Sequence, residues 1–532
     1  MYERMNKKIV TLTIVCLAGV FVCWLQGCQT KPAKKAKRPN ILICIADDQS
    51  YPHTGAYGTE WIRTPAFDRV AREGILFTNA YTPNAKCAPS RSCLLTGRNS
   101  WQLEEAANHA PFFPAKFKTY AEVLSDHGYA IGYTGKGWAP GDPGKVDGRR
   151  RELLGPAFNT HELVPPTSQI STTDYAANFN EFLASKGEDQ PFCFWYGAKE
   201  PHRAYEFGSG RDKGNKQLDE IDEIYPFWPD EDSVRVDLLD YAFEIEHFDQ
   251  QLAQILEILE EAGELDNTLV LVTADNGMPF PRIKGQAYER SNHLPLAIMW
   301  KEGIQNPGRN YQPFVSFTDF APTFLDLAGV DTAGSGMATF EGNSLKPVFA
   351  DQKDVHVRDY MVIGKERHDV GRPHDWGYPI RGIIKDGFLY LRNFEPSRWP
   401  VGNPETGYLN TDGSPTKTFL LNQRRYHGLQ ALWELNFGMR PDEELYELAV
   451  DSDCVNNLAE DTQYAQLKTE LHEILTKELQ AEGDPRIAGN GAVFDRYIYA
   501  EERSRNFYER FMAGEKLKAG WVEQSDFEPM NE

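Results

Sequence analysis

The chain has 532 residues, 41% of them hydrophobic and 25% charged. That balance excludes a largely disordered protein and suits one large globular domain with a smaller companion. A formal charge of −22 argues against nucleic acid as a partner and repels polyanions at long range, so an anionic substrate needs a local basic pocket.

The first segment reads as a targeting signal. Arg4, Lys7 and Lys8 make a positive start, and Ile9 to Trp24 is an apolar run too short for an ordinary membrane span. Leu25-Gln26-Gly27-Cys28 then looks like a bacterial lipobox, with cleavage before Cys28 and lipidation of its thiol; a plain signal peptide or a short anchor is the alternative. This predicts an exported lipoprotein of the bacterial envelope, held to the membrane by its lipid alone. Residues 1–27 would be the signal, and residues 28–38 a basic, proline-containing tether.

Asn40 to Ala46 is a continuous apolar run, as a buried parallel strand should be, and it stops at Asp47-Asp48. Thr64-Pro65 offers an N-cap and an N1 proline for a helix through Glu73. Thr119 and Glu122 form a capping box for a helix ending near Gly128. Strands follow at 130–134 and 191–197, a long helix at 234–261 and a buried strand at 269–274, after which comes Asp275-Asn276-Gly277. Asp319 is placed to cap a helix running to Leu327. Strands alternating with helices predict an α/β fold, a large mixed and mostly parallel sheet sandwiched by helices, over residues 39–355. The acidic pairs directly after two strands fall where ligands bind in such sheets.

After about residue 355 the pattern changes. Ile380 to Leu391 reads as a hairpin turning at Asp386-Gly387, and Tyr464 to Ala481 as an amphipathic helix. Residues 356–532 are therefore expected to form a smaller α+β domain with an antiparallel sheet, the tail from Phe494 being a helix packed on the core. Lys365 to Arg372 is a basic, loop-like stretch, either facing a polysaccharide or simply solvated. Of the eight cysteines, Cys44 and Cys193 sit in strand-like runs and read as core residues, and no spacing suggests a disulfide scaffold or a zinc site.

The segment Cys87-Ala-Pro89-Ser90-Arg91, with Leu94-Leu-Thr96-Gly97-Arg98 after it, carries the chemistry. Pro89 suits a first helical turn and Gly97 a C-terminal stop, which puts Cys87 at a helix N-terminus where unpaired N–H groups favour an anion. Arg91, one turn in, is expected to reach back with its guanidinium fork. Taken alone, Cys87 would read as a buried cysteine, and Asp-Asp or Asp-Asn-Gly as a turn.

Together these residues resemble the signature C-x-P-S-R…L-x-T-G-R of the type I sulfatase family, within the alkaline phosphatase superfamily. The resemblance covers roughly residues 39 to 485. It implies that a formylglycine-generating enzyme oxidises Cys87 to formylglycine (3-oxoalanine), whose hydrate takes the sulfate on one hydroxyl and expels it with the other. It implies a metal site of Asp47, Asp48, Asp275, Asn276 and the Cys87-derived oxygen, an oxygen set that suits Ca²⁺, or Mg²⁺, and not zinc. Lys136 matches the family lysine that contacts nucleophile and sulfate. His202 matches the histidine that donates a proton to the leaving oxygen. Lys284 matches the basic residue bridging sulfate and leaving group, with Arg282 its nearest competitor. Where the family usually has a histidine two residues after the lysine, this chain has Trp138; His293 and His368 are candidates to stand in by residue type alone.

Asp275 to Pro281, Glu200-Pro-His202-Arg, Tyr378 to Arg381 and Pro441 to Leu448 look like the heparan N-sulfatase (sulfamidase) branch and its bacterial relatives. The expected function is therefore hydrolysis of a sulfate ester, or an N-sulfate, on a sulfated oligosaccharide or polysaccharide, acting at chain ends. The alternatives are a phosphate or phosphonate monoester hydrolase of the same superfamily and an inactive carbohydrate-binding homologue.

Overall fold

The computed structural model describes residues 37–352 and 358–528. The signal segment, Cys28, most of the tether and the expected domain boundary at 355 lie outside those residues. Residues from Pro39 onward form one compact unit.

The first sheet has eight strands: β1 (Asn40–Ala46), β2 (Ile75–Tyr81), β3 (Ala130–Gly135), β4 (Phe192–Gly197), β5 (Thr268–Ala274), β6 (His293–Met299), β7 (Arg309–Tyr311) and β8 (Val315–Ser316). Their order is β8-β2-β6-β5-β1-β4-β3, with β7 also paired to β2. All pairings are parallel except those of β6, which runs against both β5 and β2. The central strands β1, β4 and β5 are buried along their whole length, which is why their sequences are continuous apolar runs and not alternating ones. Alternate side chains of β1 enter different cores: Ile41, Ile43 and Ile45 on one face, Leu42, Cys44 and Ala46 on the other. Cys44 and Cys193 are free, buried core residues, as expected.

Helices cover both faces. Of the expected helices, α1 (Pro65–Glu73), α3 (Tyr120–Asp126) and α5 (Asp232–Glu261) form close to their predicted limits, and Thr119 and Glu122 close the predicted capping box. Two caps differ from expectation. Thr64 makes no capping bond; the Asp249 carboxylate of α5 accepts from the Ala66 and Phe67 N–H groups instead, at 2.9 and 2.8 Å. Asp319 makes no cap for α6 (Phe320–Leu327), because its carboxylate accepts from the Ser316 and Asn343 N–H groups and pairs with Arg358. Two further helices, α2 (Cys87–Thr96) and α4 (Tyr175–Ser185), pack into the two different cores on either face of the sheet.

The second sheet is a four-stranded antiparallel meander of β9 (Tyr360–Lys365), β10 (Ile380–Lys385), β11 (Phe388–Asn393) and β12 (Glu443–Glu447). The β10–β11 turn is Asp386-Gly387 as predicted, both at positive φ, the conformation a two-residue hairpin requires. Leu471, Leu475 and Leu479 recur every four residues along α7 (Ala465–Ala481) and pack on Ile383, Tyr390 and Leu445. The other face of this sheet packs on Tyr81, Ala287 and Tyr288, next to the first sheet.

Two expectations fail here. The tail from Phe494 is not one helix; it is irregular chain with short helical turns at Val493–Arg496 and Phe507–Met512. Lys365 to Arg372 is not a solvated loop, since all eight residues are buried; of them only Asp369 lines the cavity at Cys87. Lys365 donates to the Gly285 carbonyl, and Arg372 donates to the Trp399 and Pro400 carbonyls.

Candidate active site

Strand register builds the acidic cluster. β1 and β5 lie side by side with Ala46 opposite Ala274, so the residues after each strand emerge together at the carboxyl edge. Asp48 turns the chain at φ 75°, and its N–H donates to Asp275 Oδ1 at 3.1 Å. The Asn276 side-chain N–H₂ donates to Asp48 Oδ1 at 2.7 Å, which leaves Asn276 Oδ1 buried with no donor.

The helix α2 delivers Cys87 to this edge. Cys87 is its first residue, and Gly97 ends it at φ 69° with its N–H on the Cys93 carbonyl. Every residue of α2 is buried, so its N-terminus is fixed by packing on all sides. Cys87 Sγ lies 3.5 Å from Asp47 Oδ1 and 3.7 Å from Asp48 Oδ1. The ligand atoms of Asp47, Asp48, Cys87 and Asp275 all fall within 4.8 Å of one another. Burial, together with the three carboxylates and against Lys136, pushes the Cys87 thiol well above its ordinary range.

Cations offset this buried negative charge. Lys136, after β3, donates to Asp47. Burial would raise the Asp47 carboxyl, but Lys136, helped by His202 and Arg91, outweighs it and holds the group at about 2. Lys284 bridges Asp48 Oδ2 at 2.5 Å and Asp412 Oδ2 at 2.7 Å. The Arg91 fork does not stand free to clamp an anion, as its position had suggested. Its Nε donates to Asp275 Oδ2 at 2.8 Å and its Nη1 to the Lys136 and Gly137 carbonyls; only Nη2 lacks a hydrogen-bond partner. Arg91 thus fixes Asp275 and the loop carrying Lys136.

His202 is the partly exposed member. Its Nδ1 lies 2.6 Å from the Arg203 carbonyl and its Nε2 3.8 Å from Asp48 Oδ2. Cys87, Lys136, His202 and Lys284 line one cavity of about 330 Å³. The structure therefore gathers Asp47, Asp48, Cys87, Arg91, Lys136, His202, Asp275, Asn276 and Lys284 at one sheet edge.

Three other candidates are elsewhere. Arg282 turns away to the Leu435 and Cys454 carbonyls. His293 is held between Glu289 and the Thr78 carbonyl and stacks on Tyr51 and Tyr81. His368 is buried against Asn84. Trp138 is a brace: its indole donates to Ser92 Oγ of α2 at 2.8 Å and its ring meets Phe113 edge-on.

Sequence reasoning missed Lys86, His109, Asp369, Asp412, Tyr499, Glu501 and Trp521, which line the same cavity. No motif marks them: Asp369 lies in the basic stretch 365–372, and Tyr499, Glu501 and Trp521 lie in the tail, which the sequence reads only as packing. Lys86 pairs with Asp369 at 3.0 Å, and His109 Nδ1 lies 3.0 Å from the same carboxylate. Burial pushes His109 down to about 4 in spite of Asp369, so that contact is a hydrogen bond from a neutral imidazole.

The donor set fits a hard cation: three buried carboxylates converge beside a buried amide oxygen that has no other partner.

Comparison with known proteins agrees with this geometry. Residues 39–330 match the family model described as Sulfatase. An ulvan-active sulfatase of Formosa agariphila is 29% identical over 457 residues, which are 85% of this chain and 82% of that protein. Human N-sulphoglucosamine sulphohydrolase is 27% identical over 499 residues, 87% of this chain and 94% of that protein. A protein solved in complex with its substrate D-glucosamine-2-N,6-O-disulfate shares the fold with a TM-score of 0.59 at 20% identity, over 84% of this chain and 99% of that one. The chain belongs to the sulfatase family.

Proposed function

We propose that this protein removes sulfate from a sulfated carbohydrate, with Cys87 matured to formylglycine and one Ca²⁺, or Mg²⁺, held by Asp47, Asp48, Asp275 and Asn276. The observation that carries this reading is the Cys87 side chain at a buried helix start, within 3.7 Å of two carboxylates and open to a cavity ringed by Lys136, His202 and Lys284. A thiol is the one soft donor in an otherwise all-oxygen set, and such a set calls for an oxygen at that position. Conversion of Cys87 by a formylglycine-generating enzyme supplies it. The sulfated-sugar names of the relatives support a carbohydrate substrate.

The bound ion would supply Lewis-acid polarisation and positive charge for an anionic group. Hydrated formylglycine would supply two hydroxyls on one carbon, one to take the sulfate and one to release it. The remaining work falls to this chain's own groups. Lys136 and Lys284 place positive charge where a sulfate enters. His202 keeps its Nδ1 on the Arg203 carbonyl and presents Nε2 to the cavity, and as the imidazolium it gives that proton to the leaving oxygen. Arg91 holds Asp275 in place, and the Trp138 brace holds the nucleophile's helix.

The proposal extends to location. Arg4, Lys7 and Lys8, the apolar run to Trp24 and Leu25 to Cys28 support export and lipid attachment at Cys28 in a bacterial envelope.

The test is sulfate release from defined sulfated oligosaccharides by protein co-produced with a formylglycine-generating enzyme, alongside Cys87→Ala. Release from one sugar class, lost in Cys87→Ala, supports the reading. No release from any sugar, with formylglycine confirmed by mass, contradicts it.

A further inference from the structure

The catalytic cavity has two ends of different chemistry. One end carries Cys87, Lys136, His202 and Lys284. The other is lined by Lys86, His109, Asp369, Tyr499, Glu501 and Trp521. Three of those six come from the irregular C-terminal tail.

The tail is fixed where it meets the cavity. The Ala500 N–H donates to the Ala110 carbonyl at 2.8 Å, and the Gly413 N–H donates to the Trp521 carbonyl at 2.7 Å. The Trp521 indole N–H donates to the Leu409 carbonyl at 2.8 Å, and the Tyr499 hydroxyl donates to Asp369 at 3.2 Å. Lys417 and Asp526 form an ion pair buried on both sides. With its polar edge tied down, Trp521 lines the cavity as an aromatic side chain, the kind of surface on which the C–H face of a sugar stacks.

The charges at this end are already matched or negative. Lys86 is bound to Asp369, both groups being no more than 4% exposed. Glu501 is bonded only to Ser504 among the described residues. His109, with Nδ1 on Asp369, has no partner for Nε2 among the described residues and can accept from a sugar hydroxyl. A second anionic group on the same ring would meet Asp369 and Glu501 with no unmatched cation beside it, which disfavours it strongly in a confined site.

The adjoining cavity, which shares Lys136 and His202 with this one, differs. It carries Arg150 and Lys199, neither of them ion-paired among the described residues, beside Glu244 and a Glu200 carboxylate already taken by the Ser171 N–H and the Tyr175 hydroxyl. An acidic group on a neighbouring sugar has a place there.

We propose, resting on the sulfatase reading above, that the C-terminal tail shapes this end of the cavity into a subsite for a single sugar ring whose only charge is the scissile sulfate. The substrate class is a monosulfated neutral or N-acetylated sugar, and any further acidic group belongs on the adjacent residue.

The test uses full-length, formylglycine-matured protein with Ca²⁺. Its substrates are monosulfated galactose, rhamnose and N-acetylglucosamine against glucosamine N,6-disulfate and a sulfated glucuronate. The expected result is a kcat/KM at least about tenfold higher for one of the singly charged sugars. Trp521→Ala is expected to raise KM for that sugar about tenfold. Asp369→Asn, which frees Lys86, is expected to shift the kcat/KM ratio toward the disulfated sugar. Equal or better turnover of the disulfated sugar by the unaltered protein, or an unchanged KM in Trp521→Ala, overturns the subsite while leaving the sulfatase reading intact. Absence of sulfate release from every sugar, with formylglycine confirmed, overturns both.

Discussion

The two ends of the catalytic cavity are built in different ways. The sulfate end is made largely of short runs that follow a strand, Asp47-Asp48 after β1, Lys136 after β3, His202 after β4 and Asp275-Asn276 after β5, with Cys87 at the start of α2. The far end is made of single residues from Lys86 to Trp521, gathered from the start of α2, from loops and from the tail. A parallel sheet delivers its strand ends to one edge whatever else the chain does, so the chemistry at that edge is specified locally. The far end exists only once the second sheet and the tail have packed, so selectivity is specified by tertiary structure.

That contrast can be tested first at the sulfate end, where effects are largest. Cys87→Ala removes the nucleophile, and sulfate release should fall by about a thousandfold or more, with the protein still folded by circular dichroism. Lys284→Ala should come next. It leaves Asp48 and Asp412 facing each other unpaired and buried, and it should cost about 3–5 kcal/mol of stability in denaturant titration as well as most of the activity. Added Ca²⁺ should raise the melting temperature of the unaltered protein in proportion to the logarithm of its concentration. That rise should vanish in Asp275→Ala.

Smaller effects sharpen the comparison between bracing and chemistry. Trp138→Phe keeps the packing on Phe113 but removes the donor to Ser92, and should cost about 1 kcal/mol with a modest loss of kcat. A loss as large as that of Cys87→Ala would mean that Trp138 acts in the reaction itself.

The smallest effect lies where the second sheet's helix meets the first half. Glu482, just past α7, accepts from the Asn99 and Trp101 side chains, and burial raises its carboxyl from 4.5 to about 8. A folded acid with a raised pKa is protonated where the unfolded chain is ionised. Its stabilising contribution is complete below the unfolded value and is lost as pH rises through about 8. Stability should decline between pH 5 and 9, and Glu482→Gln should flatten that decline by an amount on the order of a few kcal/mol. An unchanged slope in Glu482→Gln would show that the carboxyl titrates normally.

How much of this was legible in the sequence follows from the same contrast. Buried runs such as Asn40–Ala46 announced their strands because both faces are covered, and the Asp386-Gly387 turn announced its hairpin. Lys365 to Arg372 misled, because its charges read as solvated while Asp369 is matched by Lys86 and Arg372 by backbone carbonyls from residues 399 and 400. Arg91 misled in a subtler way. Its position suggested an anion clamp, but the carbonyls of Lys136 and Gly137 take one arm of its fork, a contact no local pattern encodes. The tail's role could not be read, since Tyr499 and Trp521 gain meaning only from Asp369 and Leu409, more than a hundred residues away in sequence.

The central claim is that Cys87 becomes an oxygen nucleophile in an all-oxygen cation site. The most direct measurement is the mass of the Cys87-containing peptide, from protein produced with and without a formylglycine-generating enzyme, beside sulfate release by each preparation. The account predicts that only the preparation showing the thiol-to-aldehyde mass change releases sulfate, in proportion to the fraction converted. Sulfate release by protein whose Cys87 is an unmodified thiol would contradict it.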